Sequence, residues 1–361
     1  MFMINRLVSP TLLLSLLLTC GHSTAATAAE GNSAVVPAER AEAGPKKRFE
    51  LLNERVKEVK GNVDLAFIGD SITQGWEGNG KDVWPHYYGK RKAINLGIGG
   101  DRTQHLLWRF DHGNLDGIRP KLAVLMIGTN NSGDNSNTGP EMADGVTAVV
   151  RALQSKVPGI KTLLLAIFPR GADFNNQRGK ILQVNQVIEK LADNKTIFHL
   201  DIGHHFVEPD GKISRAIMPD FLHLTALGYW MWAEAIEDKL AQLLGDKRVE
   251  PMARPVNLSG DWIWRMKGPN DEMLESPLVL KVEGTKVTGT FTLGEDRKLE
   301  IEKGTFDGKQ LKVIVRRNRP NNAGEMIYDM TATLENGELK GMVATDLDGQ
   351  KRTQDWSAKR K

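Results

Sequence analysis

The sequence is poor in cysteine and close to neutral in net charge. Its 361 residues include one cysteine, Cys20, which cannot form a disulfide within the chain. A disulfide-stapled fold is therefore excluded, and so is a zinc site built from several thiolates. Lys and Arg together number 48 and Asp and Glu 45, which leaves a formal net charge of +3. Because a surface that follows nucleic-acid phosphates needs a clear excess of cations, we expect no nucleic-acid partner.

The first 29 residues have the pattern of an export signal. Arg6 precedes an apolar stretch over residues 12–18, and small residues follow up to Ala29. The stretch is shorter than the roughly 20 residues of a permanent membrane helix. We therefore expect export to the periplasm or the extracellular space. Lipidation of Cys20 is the alternative to cleavage near Ala29, because the signal resembles that of a lipoprotein except that Thr19 stands where Gly, Ala or Ser is usual. We expect membrane contact only through that lipid.

Short apolar runs alternate with helical patterns between residues 46 and 246. The apolar runs cover residues 63–68, 93–98, 122–127, 162–168 and 197–202. Helical spacing of apolar residues covers residues 46–60, 103–110, 140–156, 177–193 and 225–244. Runs this apolar are typical of strands covered on both faces, and their alternation with helices implies parallel pairing. The sequence predicts a three-layer α/β domain over residues 46–246, after a mobile linker over residues 30–45 that is rich in Ala, Gly and Pro.

After residue 246 the pattern changes from helical spacing to alternation. Three turn pairs separate the alternating runs: Asp307-Gly308, Asn336-Gly337 and Asp348-Gly349. This arrangement is typical of consecutive antiparallel hairpins. We therefore expect an all-β domain over residues 257–361, joined by a linker over residues 247–256. A barrel and a sandwich both fit the pattern, and Gly260 with Trp262 loosely resembles the opening of lipocalin-like and avidin-like barrels.

Small and polar residues follow the predicted strands at their carboxyl ends, where open α/β sheets bind ligands. Ser71, Gly100 and Asn130 follow the first three runs, and Asp220 and His223 precede the last helix. A serine becomes nucleophilic when a base takes its proton and a third group orients the base. Ser71, His223 and Asp220 are the candidates for these roles. The amides of Ser71 and Gly100 and the side chain of Asn130 are the candidate donors to the resulting oxyanion.

Each of these residues also has a purely structural interpretation. Ser71 suits a helix cap, Gly100 and Asn130 suit turns, and Asp220 and His223 suit a local hydrogen bond that pins a loop. The adjacent pair His204-His205 has no third ligand at a useful spacing, so we expect no metal site there.

Taken together, the segments resemble the GDSL or SGNH hydrolases, whose four blocks carry Ser, Gly, Asn and an Asp-x-x-His. The matching residues are, in order, Ser71, Gly100, Asn130, Asp220 and His223. Residues 93–131 are more narrowly similar to the catalytic subunits of platelet-activating-factor acetylhydrolase. The resemblance covers residues 64–243 and ends before the β domain. It implies a flavodoxin-like fold with a five-stranded parallel sheet and ester hydrolysis through an acyl-serine, without metal or other cofactor.

The neighbours of the predicted catalytic groups bear on the size of the acyl group. Ile72, Thr129 and Leu222 each adjoin one of these groups, and we expect them to line a small acyl pocket that favours acetyl. An exported enzyme meets polysaccharide more readily than cytosolic phospholipid, so the expected substrate is acetylated carbohydrate or another small O-acyl ester. The alternatives are a lysophospholipase or thioesterase of the same family, and a catalytically silent carbohydrate-binding or lipocalin-like protein.

Overall fold

The structure is a computed structural model, and it describes residues 31–268, 271–293, 297–318, 324–347 and 350–361. The export signal expected over residues 1–29, with Cys20, lies outside these ranges. No helix within them is both long enough and apolar enough to span a bilayer.

Five strands form a parallel sheet, as the apolar runs predict. The strands are β1 (Leu65–Gly69), β2 (Ala93–Gly97), β3 (Leu122–Met126), β4 (Lys161–Leu165) and β5 (Ile197–Leu200). Their order is β2-β1-β3-β4-β5, and each neighbouring pair is parallel. The carboxyl end of β1 is level with the ends of β2 and β3, since Gly69 pairs with Gly97 on one side and Met126 on the other. The chain reverses its winding direction at β1, and open sheets bind ligands at such a position.

Helices cover both faces of this sheet. They are α1 (Ala43–Glu58), α2 (Ser71–Gln74), α3 (Trp84–Tyr88), α4 (Thr103–Phe110), α5 (Gly139–Lys156), α6 (Asn176–Ile188) and α7 (Ala226–Leu244). Alternate residues of β1 belong to two separate buried clusters. Ala66 and Ile68 pack with residues of α1, α4, α5 and α6, and Leu65 and Phe67 pack with residues of α3 and α7 such as Trp232. The predicted three-layer α/β/α arrangement is confirmed.

Residues 32–42, which we call the N-terminal arm, pack against the α/β domain. Ala34 is fully buried, and its carbonyl accepts a hydrogen bond from Thr103 Oγ1 at 2.7 Å. Gly145 permits this approach, since a Cβ at that position would lie 2.9 Å from the Cβ of Ala34. The prediction of a mobile linker over residues 30–45 is therefore wrong for the arm. Small residues are typical of linkers, but here they allow close packing.

Eight antiparallel strands form a closed barrel, which decides between the two architectures that the alternation allows. The strands are β6 (Gly260–Lys267), β7 (Met273–Glu283), β8 (Lys286–Leu293), β9 (Arg297–Phe306), β10 (Gln310–Asn318), β11 (Glu325–Glu335), β12 (Glu338–Leu347) and β13 (Gln350–Arg360). Consecutive strands pair with each other, and β13 pairs with β6 to close the barrel. The predicted hairpin at Asn336-Gly337 is confirmed, because both residues have the positive φ that a two-residue turn requires. The pair at residues 348–349 lies outside the described residues.

Side chains fill the interior of the barrel. Trp262, Trp264, Phe291 and Trp356 are each at most 3% exposed and belong to one buried cluster. The cavity beside Trp264 and Phe291 measures about 30 Å³, which is room for about one water molecule. The barrel interior is therefore a packed core.

The residues that lead into the barrel contact the segment that precedes Asp220. The side-chain amide of Asn257 donates a hydrogen bond to the carbonyl of Ala216, and the same carbonyl accepts from Thr225 Oγ1 at 2.7 Å. Thr225 is the N-cap of α7. The residues predicted as a linker, 247–256, contain neither helix nor strand.

A buried ion pair joins the edge of the sheet to α7. Arg91, which precedes β2, donates to both carboxylate oxygens of Glu237 at 2.7 Å, and both side chains are at most 5% exposed. Glu237 also accepts from the backbone N–H of Val249 at 2.7 Å, and Arg91 contacts Asp246 at 2.8 Å. The pair therefore fixes the carboxyl-terminal end of α7 and the start of the connection to the barrel.

Substitution Glu237→Leu removes one partner and leaves the Arg91 guanidinium with Asp246 alone. We expect the free energy of unfolding to fall by about 3 to 5 kcal/mol, because a buried charge without its partner is costly. The double variant Arg91→Met, Glu237→Leu removes both charges and is expected to recover most of that loss. Urea denaturation measures both effects, and equal losses in the single and double variants would contradict the ion-pair interpretation.

Candidate active site

Ser71 lies on a tight turn between β1 and α2. β1 ends at Gly69, and Asp70 caps α2 because its Oδ1 accepts a hydrogen bond from the Ile72 N–H at 2.9 Å. The turn requires glycine at position 69, since a Cβ there would lie 2.2 Å from Thr73 Oγ1 and 2.3 Å from a backbone oxygen of β3. Ser71 is thereby held at the carboxyl end of an interior strand, where it is half-buried.

The side chains of Ser71, His223 and Asp220 form one hydrogen-bonded chain. His223 Nε2 lies 2.9 Å from Ser71 Oγ, and His223 Nδ1 lies 2.7 Å from Asp220 Oδ2. Because a carboxylate only accepts, Nδ1 carries a proton and Nε2 is left to accept from the hydroxyl. Burial raises the pKa of Asp220, but hydrogen bonds from the His223 ring and backbone outweigh it and hold that pKa below its usual value. The structure therefore brings together the three residues that the sequence analysis grouped.

The loop between Asp220 and His223 contains a residue in the left-handed region. Phe221 has a φ of 60°, which is uncommon for any residue but glycine. This turn allows Asp220 Oδ1 to accept the backbone N–H of His223 at 2.8 Å while Oδ2 accepts from the ring. The Arg215 guanidinium lies 4.4 Å from the centroid of the Phe221 ring and supports the turn. Backbone strain of this kind clusters at functional sites.

Gly100 and Asn130 follow β2 and β3, the strands on either side of β1. Gly100 has a φ of 77°, a conformation that favours glycine. The Asn130 side-chain amide donates to the carbonyl of Asp101 at 2.9 Å. A Cβ at the neighbouring Gly99 would lie 3.8 Å from the Cβ of Ser71, so this loop lies beside the serine. The predicted oxyanion donors thus share one edge of the sheet with the hydrogen-bonded chain.

A buried carboxylate connects these strand ends. Asp101 is fully buried, and it accepts from Arg109 Nε at 2.9 Å and from Arg40 Nη1 at 3.3 Å. Arg109 also donates to the carbonyl of Gly69 at 3.1 Å, and Arg40 donates to that of Gly99 at 3.2 Å. We call these three side chains the Asp101 cluster. The cluster links the ends of β1 and β2 to the N-terminal arm.

Sequence reasoning missed the two arginines of this cluster. Arg109 has a signal, because it occupies the apolar face of α4 between Leu106 and Phe110, and a cation at a core position requires a buried partner. Arg40 has none, because its local partner is the exposed Glu42 and the two partners that place it at this edge are 59 and 61 residues away along the chain.

Asp70, beside the serine, has an unpaired carboxylate oxygen. The side chain is buried, and its Oδ2 has no hydrogen-bond partner among the described residues. Burial raises the pKa of Asp70 to about 7, although the hydrogen bond from Ile72 opposes this change. The carboxyl group therefore changes protonation near neutral pH.

The expected acyl pocket is found only in part. Leu222 is partly exposed and lines, together with Asp220 and Arg170, an open groove of about 480 Å³. Ile72 is 1% exposed and packs into the core on the α7 side of the sheet. Thr129 is also 1% exposed, and its Oγ1 accepts from Arg170 Nη1 at 3.2 Å. The expectation is corrected for Ile72 and Thr129, because their side chains are buried in the protein and do not line this groove.

The rings of the two adjacent histidines lie close together on the surface, tilted by 38° to each other. The ring centroids of His204 and His205 are 4.1 Å apart. Within the described ranges, no group of three or more His, Cys, Asp or Glu side chains is placed to hold a metal ion.

Comparison with known proteins finds one family over this domain. Residues 67–231 match the GDSL-like lipase/acylhydrolase family. The chain is 38% identical over 182 residues to platelet-activating factor acetylhydrolase IB subunit alpha2 of Rattus norvegicus, covering 50% of this chain and 77% of that protein. It is 36% identical over 195 residues to the alpha1 subunit of Homo sapiens, covering 53% of this chain and 82% of that protein. The fold is similar to that of a GDSL-like lipase from Bacteroides thetaiotaomicron, with 24% identity, a TM-score of 0.45, and coverage of 56% of this chain and 99% of the other.

The buried carboxyl of Asp70 predicts a pH-dependent stability. An Asp in the unfolded chain titrates near pH 4, whereas Asp70 in the folded protein titrates at about 7. Between these values the folded protein binds the additional proton, so this group makes the free energy of unfolding fall as the pH rises from about 4 to about 7. Asp70→Asn keeps the cap on the Ile72 N–H without a charge. We expect this variant to lose less free energy of unfolding between about pH 4 and about pH 7 than the unmodified protein, by an amount on the order of a few kcal/mol.

Urea denaturation between about pH 4 and pH 8 measures this difference. The exposed carboxylate variant Asp116→Asn is the matched control for an Asp-to-Asn change. Parallel stability curves for Asp70→Asn and the unmodified protein would show that Asp70 titrates normally.

Proposed function

The chain belongs to the GDSL-like lipase/acylhydrolase family and is a carboxylic ester hydrolase, and on this premise we propose that it cleaves small O-acyl esters, chiefly acetyl esters of carbohydrates, through an acyl-serine intermediate. The observation that carries the proposal is the hydrogen-bonded chain from Ser71 Oγ through His223 to Asp220. The pattern of residues 1–29 supports the further proposal that the enzyme acts outside the cytoplasm.

Ser71 is the nucleophile of the proposed reaction. As its Oγ forms a bond to the acyl carbon, the hydroxyl proton passes to His223 Nε2 and the carbonyl electron pair moves onto the oxygen. The tetrahedral intermediate then breaks its bond to the alcohol oxygen, which takes the proton from His223. Water repeats the two steps on the acyl-serine and releases the acid. Asp220 orients the His223 ring and stabilises its positive charge.

Three groups stabilise the oxyanion in this proposal. They are the backbone N–H groups of Ser71 and Gly100 and the side-chain amide of Asn130. One N–H of that amide donates to the carbonyl of Asp101, which fixes the amide and leaves its second N–H for the substrate. Donors fixed in advance contribute about 100- to 1,000-fold each to the rate.

Two observations support a small acyl group on a polar alcohol. The relatives reported above are named acetylhydrolases, and we carry over only the acetyl group. The groove beside Asp220 is lined mainly by polar side chains, among them Arg170, Asn176 and Gln177, and its apolar side chains are Phe221 and Leu222. Such a lining suits a hydroxyl-rich alcohol better than the long apolar chain of a lysophospholipid or a fatty acyl thioester.

The packed barrel bears on the alternative of a lipocalin-like carrier. A drug-sized ligand occupies a pocket of about 300 to 1,000 Å³, whereas the cavity beside Trp264 and Phe291 measures about 30 Å³. The barrel would have to lose several buried side chains from its interior to hold such a ligand, so we favour the hydrolase.

Substitution Ser71→Ala removes the nucleophile. We expect the kcat for nitrophenyl acetate to fall by about 10⁴-fold or more, because the oxyanion donors alone retain little of the rate. Ser155→Ala, at an exposed serine of α5, is the matched control and keeps the activity of the unmodified protein.

Full activity in Ser71→Ala would instead favour a binding protein whose hydrolase site is silent. Faster cleavage of octanoyl than acetyl nitrophenyl ester by the unmodified protein would favour a lysophospholipase or thioesterase.

Arg40 is a positioning residue in this proposal, because it holds the Gly99 carbonyl and Asp101 without reaching the reacting atoms. We expect Arg40→Ala to lower kcat for nitrophenyl acetate by about 10- to 100-fold, since a small misplacement of catalytic groups has effects of this size. KM should change little, and Arg40→Lys should recover part of kcat. Arg151→Ala, at an exposed arginine of α5, is the control. An unchanged kcat in Arg40→Ala would exclude this role.

A further inference from the structure

A polar trough extends from the candidate active site along the amino-terminal part of α6. The groove of about 480 Å³ that Asp220 and Leu222 line adjoins a second groove of about 470 Å³ that reaches Gln183. The two grooves share Asp134 and Asn175, so they form one continuous depression. We propose that this trough binds a neutral oligosaccharide as the alcohol part of the substrate, with the acylated sugar at the nucleophile. The inference rests on the ester hydrolysis proposed above and names the substrate class of that site.

Several polar side chains of the trough are free to bind a ligand. The side chains of Asp134, Asn176 and Gln183 make no hydrogen bond to another residue in the described part of the chain. The hydroxyl of Ser136, which also lines the trough, is buried without a partner there. Sugar hydroxyls donate and accept hydrogen bonds, and amide and carboxylate side chains pair with them.

The charges of the trough favour a neutral ligand over an anionic one. Two carboxylates, Asp134 and Asp220, face two cations, Arg170 and Lys180. Both cations already bind the protein: Lys180 Nζ donates to two backbone carbonyls at 3.1 and 3.2 Å, and Arg170 donates to Thr129. The two carboxylates and the two cations balance in number, so the lining has no excess of cations to attract a uronate, a phosphate or a phospholipid headgroup. A neutral glycan matches this balance of charge.

Gly179 of α6 provides a means of closing the far groove. A Cβ at this position meets no atom within 4 Å, and glycine is a poor helix former, so a larger residue there does not disturb the helix. The variant Gly179→Phe therefore fills the trough from its α6 wall. Gly44 of α1 has equally open surroundings and lies outside the trough, so Gly44→Phe is a matched control.

The test compares kcat/KM for acetylated xylotetraose, acetylated xylose and nitrophenyl acetate. In the unmodified protein we expect kcat/KM to be higher for the tetrasaccharide than for the monosaccharide. The quantity compared is the kcat/KM for acetylated xylotetraose divided by the kcat/KM for nitrophenyl acetate. We expect Gly179→Phe to lower this ratio about tenfold. Gln183→Ala should lower the ratio in the same direction, and Gly44→Phe should leave it unchanged. Unacetylated xylotetraose should inhibit competitively, and more weakly in Gly179→Phe.

Three results would overturn the trough proposal. The first is an unchanged ratio in both Gly179→Phe and Gln183→Ala. The second is a preference of the unmodified protein for acetylated uronic-acid oligomers over neutral oligosaccharides. The third is turnover of a lysophospholipid that Gly179→Phe lowers while it leaves the turnover of the acetylated glycan unchanged. A protein that hydrolyses nitrophenyl acetate but gives any of these results retains ester hydrolysis and lacks the proposed site for a neutral glycan. Failure to hydrolyse any acetyl ester would instead overturn the proposed function itself.

Discussion

The active-site edge of the sheet depends on one buried carboxylate and the two guanidinium groups that neutralise it. Asp101 has no access to water, and a buried carboxylate is tolerated only where cations and hydrogen-bond donors replace its solvation. Arg109 and Arg40 do so, and they also donate to the carbonyls of Gly69 and Gly99, while Arg40 pairs in addition with the exposed Glu42. The backbone of Asp101 meanwhile holds the Asn130 amide. Groups that follow three different strands are thereby fixed relative to one another.

The α/β sheet is largely predictable from the sequence, and the closure of the barrel is not. Each parallel strand is apolar on both faces, so it appears as a continuous run; residues 122–127, for example, contain β3. The hairpin at Asn336-Gly337 is likewise local, because the turn type requires those residues. Closure depends on the pairing of β13 with β6, the last and first strands of the barrel, and strands so distant in sequence leave no local signal. The packing of the N-terminal arm was missed because composition does not report which alanine, here Ala34, is buried.

The candidate site divides in the same way between local and distant contacts. Asp220 and His223 are 3 residues apart, so their hydrogen bond follows from spacing, whereas Ser71 lies 152 residues from His223 and reaches it because both follow the same edge of the sheet. The side-chain direction of Ile72 was not predictable, because it depends on how the short helix α2 sits over the core. Arg40 was missed because Gly99 and Asp101, which place it at this edge, are distant in sequence and its own segment is rich in small residues.

The closed barrel has a consequence for molecular recognition. Its eight strands each have a paired neighbour on both sides, so among the described residues no strand presents a free edge over its whole length, although strand ends extend beyond a neighbour, as residues 350–355 of β13 do beyond their pairing with β6. A full-length edge for recruiting a peptide or a neighbouring protein by strand addition is therefore not present among these residues. Any ligand of this domain has to be recognised by side chains on its outer wall or by the turns at its two ends.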